Sequence, residues 1–301
     1  MKLSDLTLLD VKKRLSNEGI FFNIGFSTVC LKSTLPNVAE NLHAFYAFNE
    51  LAENSDFVDF TITLDCHWLR RWYKSQANFS FDGHYPFKPL PQDQAFAMFE
   101  WSFNWVIAHH SHQYLVIHSA VLEKNGKALI FPGTPGSGKS TLCAALTGRG
   151  WRLLSDEMAL VSRATGLLQP IPRPISLKNE SISIINEYVP EFIIGEPVHD
   201  TAKGSVAHVR VPESSVQATN DLVYPSAVIF PKYKKGADTQ LTEITKGVGF
   251  MKTAENSFNY NVLGEQGFET LGELADRCNF YEFEYQSLDE AVALFDEMVS
   301  S

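Results

Sequence analysis

Eight consecutive residues, Gly133-Thr134-Pro135-Gly136-Ser137-Gly138-Lys139-Ser140, satisfy the spacing G-x-x-x-x-G-K-S, which is that of a phosphate-binding loop. Each residue type there has a chemical task. Gly133, Gly136 and Gly138 are expected to take positive φ and to let backbone N–H groups approach phosphate oxygens. The Lys139 ammonium would reach the β- and γ-phosphates of a nucleotide, and the Ser140 hydroxyl would ligate Mg²⁺. An incidental glycine-rich turn could carry the same letters, so the flanks matter. Lys127 to Pro132 is a short apolar run expected to enter the loop as a buried strand. Ser140 to Thr147 is built of good helix formers, and Gly148 and Gly150 could close that helix. A strand, a glycine-rich loop and a helix in that order place the helix N-terminus, with its positive dipole end, at an anion site.

Two further groups could act on a phosphate held there. Asn125-Gly126 lies between two β-like runs and predicts a type I′ hairpin, because both central residues of that turn need positive φ. With Lys124 paired to Lys127, the register puts His118 opposite Gly133 and delivers an imidazole to the loop. A satisfied histidine in a half-buried strand would fit the same register. Downstream, Trp151 to Glu157 reads as a strand ending in two acids, Asp156 and Glu157. If the sheet is of the open parallel kind, that end lies where ligands collect. Adjacent acids can then divide two tasks, holding Mg²⁺ and accepting a proton from an attacking hydroxyl. A metal ligand without a base function, or a helix-capping acid, are the alternatives.

Taken together, His118, the loop continued by Thr141, and Leu154-Ser155-Asp156-Glu157 resemble the catalytic domain of HPr kinase/phosphorylase, and most of all the HprK-related kinase A group. The ATP-type phosphoenolpyruvate carboxykinases share that core. The resemblance covers roughly residues 112–210. It implies an α/β fold with an HPr-kinase/phosphoenolpyruvate-carboxykinase-like P-loop core, ATP and Mg²⁺ as cofactors, and nucleotide contacts along Gly133 to Thr141. It assigns Asp156 the role of catalytic acid/base, Glu157 that of the second acid, and His118 that of the histidine contacting the catalytic acid. Ser140, Asp156 and Glu157 become the metal-ligand candidates. The chain departs from the family at Ser119, where a glycine is usual, at Thr141, where the HPr kinases have Glu, and at Glu157, where Asp is usual. For the family's signature stretch of Glu and Arg ahead of Gly, Arg173, Lys178 and Glu180 offer only loose candidates. HPr itself as substrate, and the reverse phosphorolysis, are therefore not carried over.

These residues need elements to hold them. With 301 residues, 45% of them hydrophobic, the chain can bury a large core and is expected to form two units. We expect an N-terminal α+β domain over residues 1–111 and a P-loop catalytic domain over residues 112–301. In the first, Leu3 to Leu15 has helical spacing, Phe57 to Leu64 alternates as a strand does, and Phe79 to Pro91 reads as an ordered loop. Asp93 to His110 is expected to be a helix whose Phe96, Phe99, Phe103, Trp105 and Val106 pack against the P-loop domain's sheet; peptide recognition by those aromatics is the minor alternative. A net charge of −10 speaks against non-specific nucleic-acid binding, which needs a basic face. No apolar run approaches the ~20 residues that span a bilayer. Cys30, Cys66, Cys143 and Cys278 show no C-x-x-C spacing, and with no signal-like N-terminus the expectation is reduced thiols in the cytoplasm.

The remaining candidates are weaker. His109, His110 and His112 sit where a helix should end and lack an acid or cysteine at ligand spacing; Cys66-His67 is weaker still as a metal pair. His199 to Arg210 is polar, cationic and interrupted by glycine, and resembles in position the flexible basic loop of the kinase family. Lys203 in it could stabilise charge on a transferring phosphoryl group, or belong to an ordinary solvated loop. Lys232, Lys234 and Lys235 fit a solvated turn, and Ser287 with Glu290 opens the last helix as a capping box. The expected activity is ATP- and Mg²⁺-dependent transfer to a serine or threonine hydroxyl of a protein or peptide, with a small peptide-chaperone-like protein as an expected partner and homo-oligomers, as in HPr kinases, an open expectation. A small-molecule hydroxyl kinase and a nucleotide-gated regulator are the alternatives. A carboxykinase-like enzyme would need an arginine cluster that is not identifiable.

Overall fold

The computed structural model describes residues 1–52, 57–66 and 75–300, so His67 lies outside the described residues. In chain order the elements are α1 (Leu8–Ser16), β1 (Ile20–Ile24), β2 (Ser27–Ser33), α2 (Pro36–Phe45), β3 (Phe60–Asp65), β4 (Gln76–Phe81), β5 (Leu90–Pro91), α3 (Ala95–His110), β6 (Tyr114–Lys124), β7 (Lys127–Pro132), α4 (Lys139–Gly148), β8 (Arg152–Ser155), β9 (Met158–Ser162), β10 (Leu168–Gln169), β11 (Ile175–Lys178), α5 (Glu180–Tyr188), β12 (Val198–Thr201), β13 (Gly204–Val209), α6 (Glu213–Gln217), β14 (Pro225–Tyr233), β15 (Gln240–Ile244), α7 (Lys246–Glu255), α8 (Tyr260–Leu263), α9 (Glu265–Arg277), β16 (Asn279–Tyr285) and α10 (Leu288–Ser300). The fold is mixed α/β, built on three sheets.

The first sheet, in the order β1-β2-β3-β4-β5, is antiparallel except for the parallel pair β2–β3. The stretch expected as a loop, Phe79 to Pro91, therefore begins inside β4 and ends in β5. The reason lies in β3, whose alternating Phe60, Ile62 and Leu64 are buried and take Phe79 and Phe81 as cross-strand neighbours. The predicted N-terminal helix is shorter than its apolar spacing suggests: Thr7 stops it by accepting the Asp10 N–H at 3.2 Å, leaving Leu3–Asp5 as a separate 3₁₀ turn. α3 lies on this sheet through Phe96, Phe99, Phe103 and Val106, all buried, with Phe99 stacked on Phe103 at 5.6 Å and Phe60 edge-on to it.

The same hydrophobic cluster continues onto Val116 of β6, Met158 and Leu160 of β9, and Ile171. The helix thus packs on the first sheet with one part of its surface and touches the second with another. A core that runs across residue 111 binds the two expected units into one packing unit.

The second sheet runs β10-β9-β6-β7-β14-β16-β15, with β8 also paired to β6. The β6–β7 hairpin has the expected register, Lys124 opposite Lys127, with Asn125 and Gly126 both at positive φ. Side chains alternate between the two faces as a pleat requires. Ala120, Leu122, Leu129 and Phe131 join α4, α5 and α10 in one core, while Val121, Ala128 and Ile130 join α9 in the other. β7 and β14, and β14 and β16, are parallel pairs, so the loop after β7 leaves from the carboxyl end of a parallel core. The third sheet, β11-β13-β12, is antiparallel. The segment from His199 to Arg210, expected as a flexible loop, is the β12–β13 hairpin. The consecutive buried residues Val206, Ala207, His208 and Val209, paired with β11, hold it as a strand pair.

Among the described residues no helix is long and apolar enough to cross a membrane.

Candidate active site

α4 starts at Lys139 with Gly138 as its left-handed N-cap, φ +87°. Gly136 is also left-handed, at φ +90°, whereas Gly133 is not. The expected positive φ at Gly133 is thus corrected. Space explains that glycine instead, since a Cβ there would sit 2.6 Å from the Ser137 hydroxyl oxygen. Leu142 is the first residue to close a helical bond, onto the Gly138 carbonyl at 2.9 Å. Among the described residues the N–H groups of Gly136, Gly138, Lys139, Ser140 and Thr141 donate to no group of the chain. They form the donor set of a helix N-terminus fed by a tight loop, and an anion supplies what such groups lack.

Two tyrosines hold the loop from behind. Tyr285 donates its hydroxyl to the Gly138 carbonyl at 3.1 Å, and the Tyr233 N–H donates to the Ser137 carbonyl at 2.9 Å. A Cβ on Gly138 would come within 2.5 Å of the Tyr285 hydroxyl, so this glycine is required by both φ and contact. Tyr285 and Tyr233 sit near the ends of strands whose pairing is set some 90 residues or more downstream of the loop, and no local signal in the chain reveals them.

Asp156 and Glu157 occupy the break between β8 and β9, and the topological reason for their position differs from the one expected. β8 does not run parallel to its neighbour. β8 and β9 both pair antiparallel with β6, and the register slips between Val121 and Leu122. That slip falls at Leu154, between the Leu122–Leu153 and Val121–Ser155 pairs, whereas Val121–Ser155 and His118–Met158 share one register, so the acids form a two-residue break in what is otherwise one long strand. Ser155 stabilises it by accepting the N–H of Glu157 at 3.3 Å and of Met158 at 3.1 Å, and Ser119 donates its N–H to the Glu157 carbonyl.

Asp156 is buried. Its Oδ2 accepts the Ser176 N–H of β11 at 3.1 Å, and its Oδ1 is buried with no hydrogen-bond partner. Burial and the Glu157 charge push this carboxyl up to about 6. Burial works the same way on Glu157, but the charges of Lys139 and Lys178 outweigh it and hold that carboxyl below its ordinary value. The Lys178 ammonium lies 3.9 Å from Glu157. Of the three loose candidates, only Lys178 therefore reaches the acids. Glu180 is exposed at the start of α5.

His118 does arrive at the loop, but its partners are Lys139 and Glu157 rather than Asp156. Its Nε2 is 3.0 Å from the Lys139 Nζ, and its Nδ1 is 3.2 Å from the Glu157 carbonyl oxygen and 3.6 Å from that residue's carboxylate. Burial and the Lys139 charge lower the imidazole to about 4, so it is neutral at pH 7. The network assigns the proton to Nδ1, which donates to the carbonyl, while Nε2 accepts from the ammonium. Burial also lowers the Lys139 ammonium, and the two acids oppose that effect.

Lys203 stands at the tip of the β12–β13 hairpin. Desolvation and the Lys178 charge lower it, and Glu157 acts in the opposite sense. It lines a cavity of about 280 Å³ together with Ser155, Asp156 and Glu157. The opposite wall comes from the N-terminal half of the chain, namely Phe87, Leu90 and the α3 residues Ala97, Met98 and Trp101. That face of α3 is a feature sequence reasoning missed, because the aromatic spacing marked only the helix's core side.

Arg173 and Glu100 form part of the cavity wall but face each other. The guanidinium donates to the Glu100 carboxylate at 2.6 Å and to the Glu100 carbonyl at 2.9 Å, and also to Asn104 at 2.7 Å. Tyr46 donates its hydroxyl to Glu100, and Phe103 lies under the guanidinium at 4.6 Å. Arg173 therefore joins the two halves of the chain, and four of its five N–H donors are taken by Tyr46, Asn104 and Glu100.

Among the described residues no group of three or more His, Cys, Asp or Glu side chains is arranged to hold a metal by itself. His109 Nδ1 lies 2.9 Å from the Trp105 carbonyl oxygen, and His112 Nε2 lies 2.7 Å from that of His109. A Mg²⁺ ion of the kind phosphates bring needs only one or two protein oxygens. The Ser140 hydroxyl and the unpartnered Asp156 oxygen suit that demand.

The family described as SynChlorMet cassette protein ScmC matches this chain over residues 88–174, less than a third of its length. The matched stretch is continuous from the cavity wall through α3, His118, the loop and both acids to Arg173. No curated protein matches the chain.

Proposed function

We propose that this chain is an ATP- and Mg²⁺-dependent phosphotransferase with an HPr-kinase-like P-loop core, acting on a hydroxyl, with a serine or threonine of a protein or peptide as the expected acceptor. Asp156 is the observation that carries the reading. A pure nucleotide switch has little use for a buried carboxyl beside a cavity, whereas a general base needs just such a group with its pKa close to working pH.

In this reading the loop N–H groups and Lys139 hold the β- and γ-phosphates. Ser140, with Asp156 or Glu157, would hold Mg²⁺, which when bound neutralises charge on the phosphates. Glu157, kept ionised by two lysines, leaves Asp156 as the member of the pair able to exchange a proton near neutrality. His118 acts through Lys139: as a neutral acceptor it aims the ammonium without competing for anions. Lys203 would add positive charge at the side where the acceptor enters. A free small-molecule hydroxyl, rather than one on a peptide, is the second reading, and a cavity of about 280 Å³ has room for it.

Calorimetric titration with ATP and Mg²⁺ tests the site. Lys139→Ala should lose most nucleotide affinity, while Asp156→Ala should keep it within about threefold, since a base contributes to the transition state rather than to binding. Tight binding by Lys139→Ala would remove the loop from the account.

A further inference from the structure

Resting on that reading, we infer that the cavity between α3 and the paired acids is the acceptor site, and that it selects a hydroxyl carried on an apolar body. The N-terminal half of the chain would thus supply the specificity wall. Phosphoryl transfer needs the acceptor oxygen beside the base and the phosphate loop beyond it. Asp156 and Glu157 meet both conditions: they line the cavity, and they act electrostatically on Lys139.

The walls define the chemistry. Phe87 and Trp101 meet edge to face at 4.5 Å, and Leu90, Ala97, Met98, Pro174 and Val206 complete an apolar lining. On the α3 side the polar groups are engaged with the chain: Arg173 bonds to Glu100 and Asn104, and Gln94 donates to the Asp200 carbonyl at 3.2 Å. Lys88 and Lys203 bring charge to other parts of the lining. A sugar or other polyol would press several hydroxyls against the apolar α3 side, where few partners are left for them. An acceptor with one hydroxyl directed to the Asp156 carboxyl, which lies on the lining, has no such penalty. In the step, the acceptor oxygen bonds to the γ-phosphorus, the bond from that phosphorus to the β–γ bridging oxygen breaks, and ADP leaves with its electron pair. The hydroxyl proton passes to Asp156.

Such a hydroxyl can be free or part of a peptide, and the test separates the two. Transfer from γ-labelled ATP would be followed to 3-phenylpropan-1-ol, to a blocked tripeptide with serine between phenylalanine and leucine, and to glycerol and glucose. The inference expects one or both apolar probes to exceed the polyols by about tenfold or more. It also expects Ala97→Trp, which fills the cavity, and Trp101→Ala, a change at a rim position 41% exposed that the fold does not need, to lower that transfer by about tenfold. ATP affinity, which the loop sets, is the internal control. Polyols as the better acceptors, or transfer indifferent to both variants, would overturn the acceptor site and leave the kinase standing. Absence of ATP binding by the unmodified protein would remove both.

Discussion

Burial and a neighbouring charge push the Asp156 carboxyl up to about 6, and this has a consequence for folding as well as for chemistry. A carboxylic acid whose pKa is raised in the folded state binds its proton more tightly there than in the unfolded chain. Between the ordinary value of 3.8 and about 6 the folded state therefore holds more protons, so stability falls as pH rises through that window and stays lower above it. Replacing the acid by its neutral isostere removes the penalty. Asp156→Asn should be more stable than the unmodified protein by about 2–3 kcal/mol near neutral pH, and by much less near pH ~4. Urea unfolding at the two pH values checks this. Equal stability near neutrality would mean that the Asp156 charge is compensated within the fold. The two acids were legible in the sequence because adjacent carboxylates after an apolar run are unusual there. The division of labour between them was not, because it depends on Lys178 and Ser176, which arrive on β11 through a different sheet.

At the scale of elements, two features position the site, and they differ in how local their causes are. The β6–β7 hairpin follows from Asn125-Gly126 and from alternation on either side, so its register could be read directly, and it carries His118 to the loop. The β8–β9 break has no comparable signature. It exists because both strands lie antiparallel on β6, with a one-residue slip at Leu154, and only that pairing sets the two successive acids beside Ala120 and Ser119 of the strand that carries His118. The Arg173–Glu100 pair is of the same long-range kind: it joins α3 to the segment before β11, with both side chains 8% exposed. Breaking a buried pair from one side leaves the other charge without compensation. Glu100→Ala should therefore destabilise the fold by about 3–5 kcal/mol, read as a lower denaturation midpoint. A change below about 1 kcal/mol would show instead that water reaches the guanidinium.

For the whole molecule, the first sheet lies before residue 111 and the other two after it, while one hydrophobic core runs across that position. Val116, Met158, Leu160 and Ile171 belong to the cluster built by the first 108 residues, and the acceptor cavity has walls from both sides of the boundary. A fragment of residues 112–301 should then expose that apolar surface and fail to yield a soluble, cooperatively unfolding protein; a well-behaved monomer with a sharp thermal transition would restore the two-domain view. Sequence patterning showed which segments were strands and helices, since period and turn chemistry are local. It could not show that α3 turns one side to the core and another to the acids, because that requires the third sheet to fold over it. The central claim is that this assembly moves a phosphoryl group through Asp156. The most direct measurement is label transfer from γ-labelled ATP with Mg²⁺ in extract of the source cells, comparing the unmodified protein with Asp156→Ala and separating protein from small-molecule fractions. The account predicts a labelled product with the unmodified protein that falls by about three orders of magnitude with the variant. Equal label with both proteins, or ATP binding with no Asp156-dependent label in either fraction, would contradict it.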